Sequence, residues 1–253
     1  MSRLLRAFTQ VRRMPEVIHC RSLTRDWVRL TTAYVRMTSK LPFSINLPSG
    51  PFEFREISDI PTFWQIFFAD LYSVRPTDRI IIDAGANIGA FTLYALLTNH
   101  KCHVVSVEPA PDTCDRLRAL VSSHGVSSRC TIVEAALSSE TGITTIQMCQ
   151  GSQFRRTGKE GIPVSSTTLD DLVAPYDRVD LLKLDTQGAE YPALLTASPD
   201  ILQRIRRIEM EYHPFGDVHE LLRLLTERGF SLDDCRPNSN APGYGMARLS
   251  RSD

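Results

Sequence analysis

The 253-residue sequence has no long apolar run, no paired cysteines and no net charge. No stretch approaches the roughly 20 apolar residues needed to cross a bilayer, and the N-terminus lacks the apolar segment of a secretory signal. A water-soluble, cytoplasmic protein with no transmembrane segment is expected. The six cysteines, Cys20, Cys102, Cys114, Cys130, Cys149 and Cys235, form no C-x-x-C pair and have no histidines at metal-ligand spacing. They read as reduced, structural thiols, and no metal site is expected. The 29 basic and 29 acidic residues cancel, which removes the basic footprint from which nucleic-acid binding starts. With 42% hydrophobic and 23% charged residues, general disorder and a fibrous architecture are both disfavoured. Repeats and low-complexity segments are absent too.

What charge there is lies unevenly. Residues 1–40 carry Arg3, Arg6, Arg12, Arg13, Arg21, Arg25, Arg29, Arg36 and Lys40 against only Glu16 and Asp26, so the remainder is acidic by the same margin. Leu4, Phe8 and Val11 recur at helical spacing, as do Trp27, Leu30, Tyr34 and Met37, so a basic helical arm is expected over residues 1–40. Such an arm packs on the body with solvated arginines, or meets a membrane surface, a partner or a second copy in a homo-oligomer. Residues 41–78 follow as a strand-turn, punctuated by Leu47-Pro48-Ser49-Gly50-Pro51, and an aromatic helix from Ser58 or Asp59 through Tyr72. Its Phe63, Trp64, Phe67, Phe68 and Tyr72 either roof a pocket or form core.

From Arg79 to the C-terminus, strands and helices alternate. Strands are expected over 80–83, 103–108, 130–135, 144–148, 180–185 and 206–212. Helices are expected over 89–99, 112–123, 188–197 and 217–228, with a terminal hairpin over 230–232 and 246–249. Short β-rich apolar runs separated by helices imply a mostly parallel sheet covered on both faces, an α/β fold.

Four segments carry chemistry. In Asp83-Ala84-Gly85-Ala86-Asn87-Ile88-Gly89 a buried strand ends in an acid, and the chain turns through glycines into a helix, so that main-chain atoms can approach a ligand at the carboxyl ends of the strands. Asn87 stands where a nicotinamide-cofactor loop would have its middle glycine, which counts against a pyrophosphate ligand. Glu108, ending Val104-Val105-Ser106-Val107 before Pro109, lies about 20 residues on, where an acid accepts ribose hydroxyls in nucleotide-binding folds. Glu134-Ala135-Ala136 ends a third strand whose small residues suit a flat base, or simply close packing. Lys183-Leu184-Asp185-Thr186-Gln187-Gly188-Ala189-Glu190 brings Asp185 and Glu190 to the same rim, although a helix-start glutamate is also favoured by the dipole.

With these segments the stretch from about Arg55 to Phe230 resembles the FkbM family of S-adenosylmethionine-dependent methyltransferases. The resemblance also runs through Ile88-Gly89-Ala90-Phe91, Thr168-Leu169-Asp170-Asp171-Leu172 and Glu209-Met210-Glu211-Tyr212-His213. It implies a Rossmann-like class I methyltransferase fold with a seven-stranded sheet, and O-methylation of a polyketide, sugar or glycan hydroxyl. S-adenosyl-L-methionine is the implied cofactor. Asp83, Gly85, Ala86, Asn87, Gly89 and Phe91 would line its methionine and ribose part, Glu108 and Pro109 its ribose, and Glu134 and Ala135 its adenine, with Asp185 nearby. Gln187 stands where the family usually has glutamate.

Methyl transfer to a hydroxyl needs alignment and one base. Asp185 or His213 is the expected base, with Glu190 and Glu211 orienting the acceptor or holding a divalent metal. The rival readings are a dinucleotide oxidoreductase, against which the missing glycine speaks, and a non-catalytic protein that keeps the fold. Acceptor choice is expected to reside in the arm, the aromatic helix and the loop from Gly151 to Pro163, with Arg155, Arg156 and Lys159.

Overall fold

The computed structural model describes residues 14–147 and 161–252. The expected helix through Leu4, Phe8 and Val11, together with Cys149, Arg155, Arg156 and Lys159, lies outside these residues. The chain divides into two compact units, one of residues 1–73 with 122–125, the other of residues 74–121 with 126–253.

The first unit begins with α1 (Met14–Leu23) and α2 (Trp27–Arg36), followed by the antiparallel hairpin of β1 (Phe43–Leu47) and β2 (Gly50–Phe54), then α3 (Asp59–Phe67). Along β1, Phe43, Ile45 and Leu47 are buried while Ser44 and Asn46 face out, the period of two expected of a half-covered hairpin. The aromatic residues form core: Phe63 stacks on Phe67 with centroids 4.1 Å apart and meets Phe52 at 4.6 Å, and Trp64 stacks on Tyr34 at 4.4 Å. The pocket-roof alternative is therefore corrected. The helix ends at Phe67 instead of running to Tyr72. His124 belongs to this unit, its ring nitrogens 2.7 Å from Ser49 Oγ and 3.0 Å from the Pro51 carbonyl oxygen.

In the second unit, β3 (Ile80–Ala84), α4 (Ala90–Thr98), β4 (His103–Val107), α5 (Pro111–Ser123) and β5 (Cys130–Val133) come first. Then follow β6 (Ala136–Leu137), β7 (Gly142–Ile146), β8 (Ile162–Thr167), α6 (Leu169–Val173), β9 (Leu181–Leu184), α7 (Glu190–Thr196), α8 (Pro199–Arg204), β10 (Arg207–Tyr212), α9 (Val218–Glu227), β11 (Ser231–Pro237) and β12 (Gly245–Ser250). The seven-stranded sheet has the order β11-β12-β10-β9-β3-β4-β5. Strands β10 to β5 in that order run parallel and β11 and β12 form the antiparallel end. Mostly parallel strands need coverage on both faces, and β9 is buried at every residue. The expected α/β fold, its seven strands and its terminal hairpin are all present. The expected strand over 144–148 is corrected: it spans Gly142–Ile146 and joins β6 and β8 in a separate three-stranded sheet. Of the three, β8 stands where only a loop was expected; its alternation of valine, serine and threonine is too polar to signal a buried strand. No helix among the described residues is long and apolar enough to cross a membrane.

Both tryptophans, Trp27 and Trp64, fall in the first unit, so tryptophan fluorescence reports on that unit while circular dichroism reports on both. Removing the fully buried Phe63 ring leaves a core cavity worth about 3–5 kcal/mol. We expect Phe63→Ala to lower the urea midpoint of the fluorescence transition by that loss divided by the slope of the transition; coincident, unchanged midpoints in both signals would count against the aromatic core.

Candidate functional site at the carboxyl edge of the sheet

The connection from β3 leads to β4 on one side, and that from β9 leads to β10 on the other. A crevice at the carboxyl ends of β3 and β9 is the consequence, the place where open α/β sheets bind ligands. The turn after β3 fills this position. Gly85 N–H and Ala86 N–H both donate to the Val107 carbonyl, at 2.9 and 3.0 Å, which curls the chain over the end of β4. Gly85 has φ 75° and Asn87 φ 49°. A Cβ at Gly85 would stand 1.9 Å from the Asp185 carbonyl oxygen, so only glycine lets the two strand tips come together.

Below the turn lies a buried polar network. Lys183 Nζ is 2.9 Å from Asp83 Oδ1 and donates to the Gly85 carbonyl at 2.8 Å. Thr92 Oγ1 donates to Asp83 Oδ2 at 2.7 Å and lies 2.7 Å from Ser106 Oγ. Burial alone would discharge the ammonium, but Asp83, Asp185 and Glu211 hold its pKa above the ordinary lysine value. Two residues expected to line the cofactor lie beneath the turn. Asp83 is fully buried, and its carboxylate meets Lys183 and Thr92, so it holds the turn from below. Phe91 is core as well, 1% exposed and facing the Lys183 ammonium at 6.0 Å. Ala86 is buried, and Gly89, at φ 86°, starts α4 with its Cα against Leu117, where a Cβ would meet Leu117 Cδ1 at 2.2 Å. Lysine within an otherwise apolar strand, Leu181-Leu182-Lys183-Leu184, is the sequence signal by which this group was identifiable.

The carboxylate of Glu108 closes the second wall. Its Oε2 accepts from Asn87 N–H and its Oε1 from Ala110 N–H, both at 3.0 Å. Pro109 fixes the chain between them. Glu134 is exposed and paired with Arg118 at 2.6 Å, while Ala135 is buried beside it.

On the opposite wall four titratable groups converge. Glu190, fully buried at the start of α7, accepts from Thr186 Oγ1 and Gly188 N–H with Oε2, and from His213 N–H with Oε1. The same Oε1 lies 2.9 Å from His213 Nδ1. Tyr191 O–H donates to the His213 carbonyl at 2.7 Å, so the ring is anchored from two residues of one helix. His213 Nε2 faces Asp185 Oδ1 at 3.7 Å and has no hydrogen-bond partner, although the residue is 1% exposed. Burial opposes protonation of His213, but the Glu190 hydrogen bond and the charges of Glu190, Asp185 and Glu211 outweigh it and raise its pKa. Glu211 is pushed up to about 7, first by burial and then by the charge of Asp185. Gln187 has φ 54°, and its Nε2 donates to Asp185 Oδ1 at 3.4 Å; the amide donates where a glutamate would repel. Phe215 packs on Gly188, where a Cβ would stand 2.8 Å from its ring. No sequence spacing pointed to Tyr191 or Phe215, because their contacts join residues over 20 positions apart.

A sheet in this strand order, with a glycine turn, an acid ending β4 and a carboxylate-histidine cluster at its carboxyl edge, defines a class I methyltransferase fold. A family model described as the methyltransferase FkbM domain matches residues 83–232, and the chain belongs to that family of methyltransferases. It is 28% identical over 198 residues to the 31-O-demethyl-FK506 methyltransferase FkbM of Streptomyces tacrolimicus, covering 63% of this chain and 75% of that one. It is 23% identical over 229 residues to the hexuronic acid methyltransferase AglP of Haloferax volcanii, covering 85% and 90%. The crystal structure of methyltransferase FkbM from Methylobacillus flagellatus superposes with a TM-score of 0.50 at 13% identity, covering 89% of this chain and 59% of that one, a likeness of fold.

Since the folded pKa of Glu211 lies above its ordinary value of 4.5, its protonated form favours the fold, and that contribution is lost as pH rises through about 7. We expect Glu211→Gln, uncharged at every pH, to match the parent protein in thermal midpoint at pH 5 and to exceed it at pH 8. An equal difference at both pH values would remove Glu211 as the titrating group.

Proposed function

We propose that the protein transfers the methyl group of S-adenosyl-L-methionine to a hydroxyl of a sugar, glycan or polyketide-type small molecule. The observation that carries this reading is the convergence, at one crevice, of a bare-backbone glycine turn, the Glu108 carboxylate and the Asp185–His213 pair. The residues present fit the cofactor. Asn87 Oδ1 is buried without a hydrogen-bond partner, and the Glu108 carboxylate, held beside it by Asn87 N–H and Ala110 N–H, has the acceptor chemistry that a ribose diol calls for. In this reading Gly85, Ala86 and Asn87 pass the methionine part, Glu108 and Pro109 hold the ribose, and Glu134 and Ala135 border the adenine. Bound there, the sulfonium supplies an electrophilic methyl group. The names of the two relatives, one citing 31-O-demethyl-FK506 and one a hexuronic acid, support a hydroxyl-bearing acceptor.

The chain's own part is to orient that hydroxyl and take its proton. Glu190 fixes the imidazole through Nδ1, which turns Nε2 toward the opening beside Asp185. Neutral His213 accepts the proton at Nε2, and the resulting imidazolium lies between Glu190 and Asp185, which stabilise it. Its 31%-exposed side chain lets Asp185 meet the acceptor directly. Glu211 sits near enough to raise the pKa of His213 and serves to orient the acceptor.

Calorimetric titration with S-adenosylhomocysteine tests the cofactor. We expect micromolar-class binding in the parent protein and none in Gly85→Ala, whose Cβ would meet the Asp185 carbonyl. His213→Ala and Asp185→Asn should keep that binding and lose turnover of a hexuronic acid or polyketide-type acceptor by about 10²–10⁴-fold. Full turnover in His213→Ala would sink the base assignment, and cofactor binding without turnover in any variant or the parent would point to a non-catalytic protein. Because the pKa of His213 is raised, the base is neutral only at the alkaline side; turnover should rise with pH through a step above 6.5, and a profile flat across that range would contradict it.

A further inference from the structure

The helices of the first unit carry two kinds of residue on their outer surface. On α2, Leu30 and Ala33 are buried, yet Val28, Thr32 and Val35, at i, i+4 and i+7, form a second stripe that faces out. On α1, Met14, Ile18 and Arg21 repeat the same spacing, also exposed. Ile18 is 63% exposed and Val35 58%, and five of the large hydrophobics exposed among the described residues, Met14, Ile18, Val28, Val35 and Met37, fall within this short stretch. Interleaved with them are the exposed side chains of Arg21, Arg25, Arg29, Arg36 and Lys40.

The acids are segregated from this surface. Between Met14 and Lys40 the only carboxylates are Glu16 and Asp26, and both are committed inward: Glu16 accepts from Trp64 Nε1, and Asp26 accepts from Asn46 N–H at 2.9 Å and from its side-chain amide. Two arginines lie back on aromatic rings, Arg29 at 4.4 Å from Phe43 and Arg21 at 5.9 Å from Trp27, and no ion pair with a described residue neutralises the five cations.

We propose that this face of α1 and α2 docks on an anionic lipid surface. Charge complementarity selects the occupant. A symmetric contact with a second copy would set arginines against arginines. A nucleic acid would take the cations but leave the aliphatic stripe in water. An anionic bilayer takes both: aliphatic side chains enter the boundary of the acyl region while guanidinium groups remain at the level of the phosphates.

The test is sedimentation of the full-length protein with vesicles of phosphatidylcholine containing phosphatidylglycerol, against vesicles of phosphatidylcholine alone. Co-sedimentation with the anionic vesicles, absent with neutral ones and reduced at high salt, is expected. The substitutions sit on exposed positions and should leave the thermal midpoint unchanged. Arg25→Gln with Arg36→Gln should weaken partitioning roughly 30-fold, on about 1 kcal/mol per cation, and Ile18→Ser with Val28→Ser and Val35→Ser roughly tenfold or more. No binding to anionic vesicles overturns the proposal, as does binding unchanged in both variants, a concentration-dependent dimer lost in them, or a preference for an oligonucleotide over the vesicles. S-adenosylhomocysteine titration is independent of all these outcomes.

Discussion

The contact on which the site depends is the buried ion pair between Lys183 and Asp83. It binds the tip of β9 to the tip of β3, and the ammonium also donates to the Gly85 carbonyl. A lysine carried into a sheet interior loses its hydration, and only a partner of opposite charge at contact distance compensates for that loss. The glycine turn, the carboxylate of Asp185 and the crevice between them are thereby held in one geometry. Thr92 and Ser106 complete the enclosure by occupying the other oxygen of Asp83.

This pair is one step in a row that crosses the sheet. Asp83, Lys183, Glu209, Arg248 and Asp234 stand opposite one another on β3, β9, β10, β12 and β11, alternating in sign. Arg248 lies 3.5 Å from Glu209 and 3.6 Å from Asp234. A slip of one residue in β3, β9 or β10 would turn its charge to the opposite, apolar face. The row thus contributes more to register than to net stability, since buried ion pairs roughly break even against apolar packing.

Toward the carboxyl edge the same physics is used differently. Asp185, Glu190 and Glu211 crowd one histidine, and the crowding raises the proton affinities of Glu211 and His213. Glu190 resolves most of it by accepting four hydrogen bonds in full burial. Asp185 stays partly open, and His213 keeps one nitrogen unpartnered. Groups left in that condition, at the switch point of a parallel sheet, are the ones able to act on a ligand.

Local chemistry made the alternation of strands and helices legible in the sequence, because apolar β-rich runs and glycine turns are local signals. It also pointed to Gly85, Glu108, Asp185, Glu190, Glu211 and His213, each at the end of a strand or start of a helix. It could not tell that Asp83 and Phe91 face inward, since both lie in the same motif as Gly85 and only neighbouring strands decide which face a side chain takes. Nor did it show β8, whose polar alternation gains strand character only by pairing with β6 and β7. The sequence by itself determined which residues end the strands of a parallel sheet, because the chain's own periodicity sets where each strand stops. Only the tertiary structure decided which of those residues meet, because the contacts of Gly85 with Asp185, Lys183 with Asp83 and His213 with Glu190 depend on strand order, which no local pattern encodes.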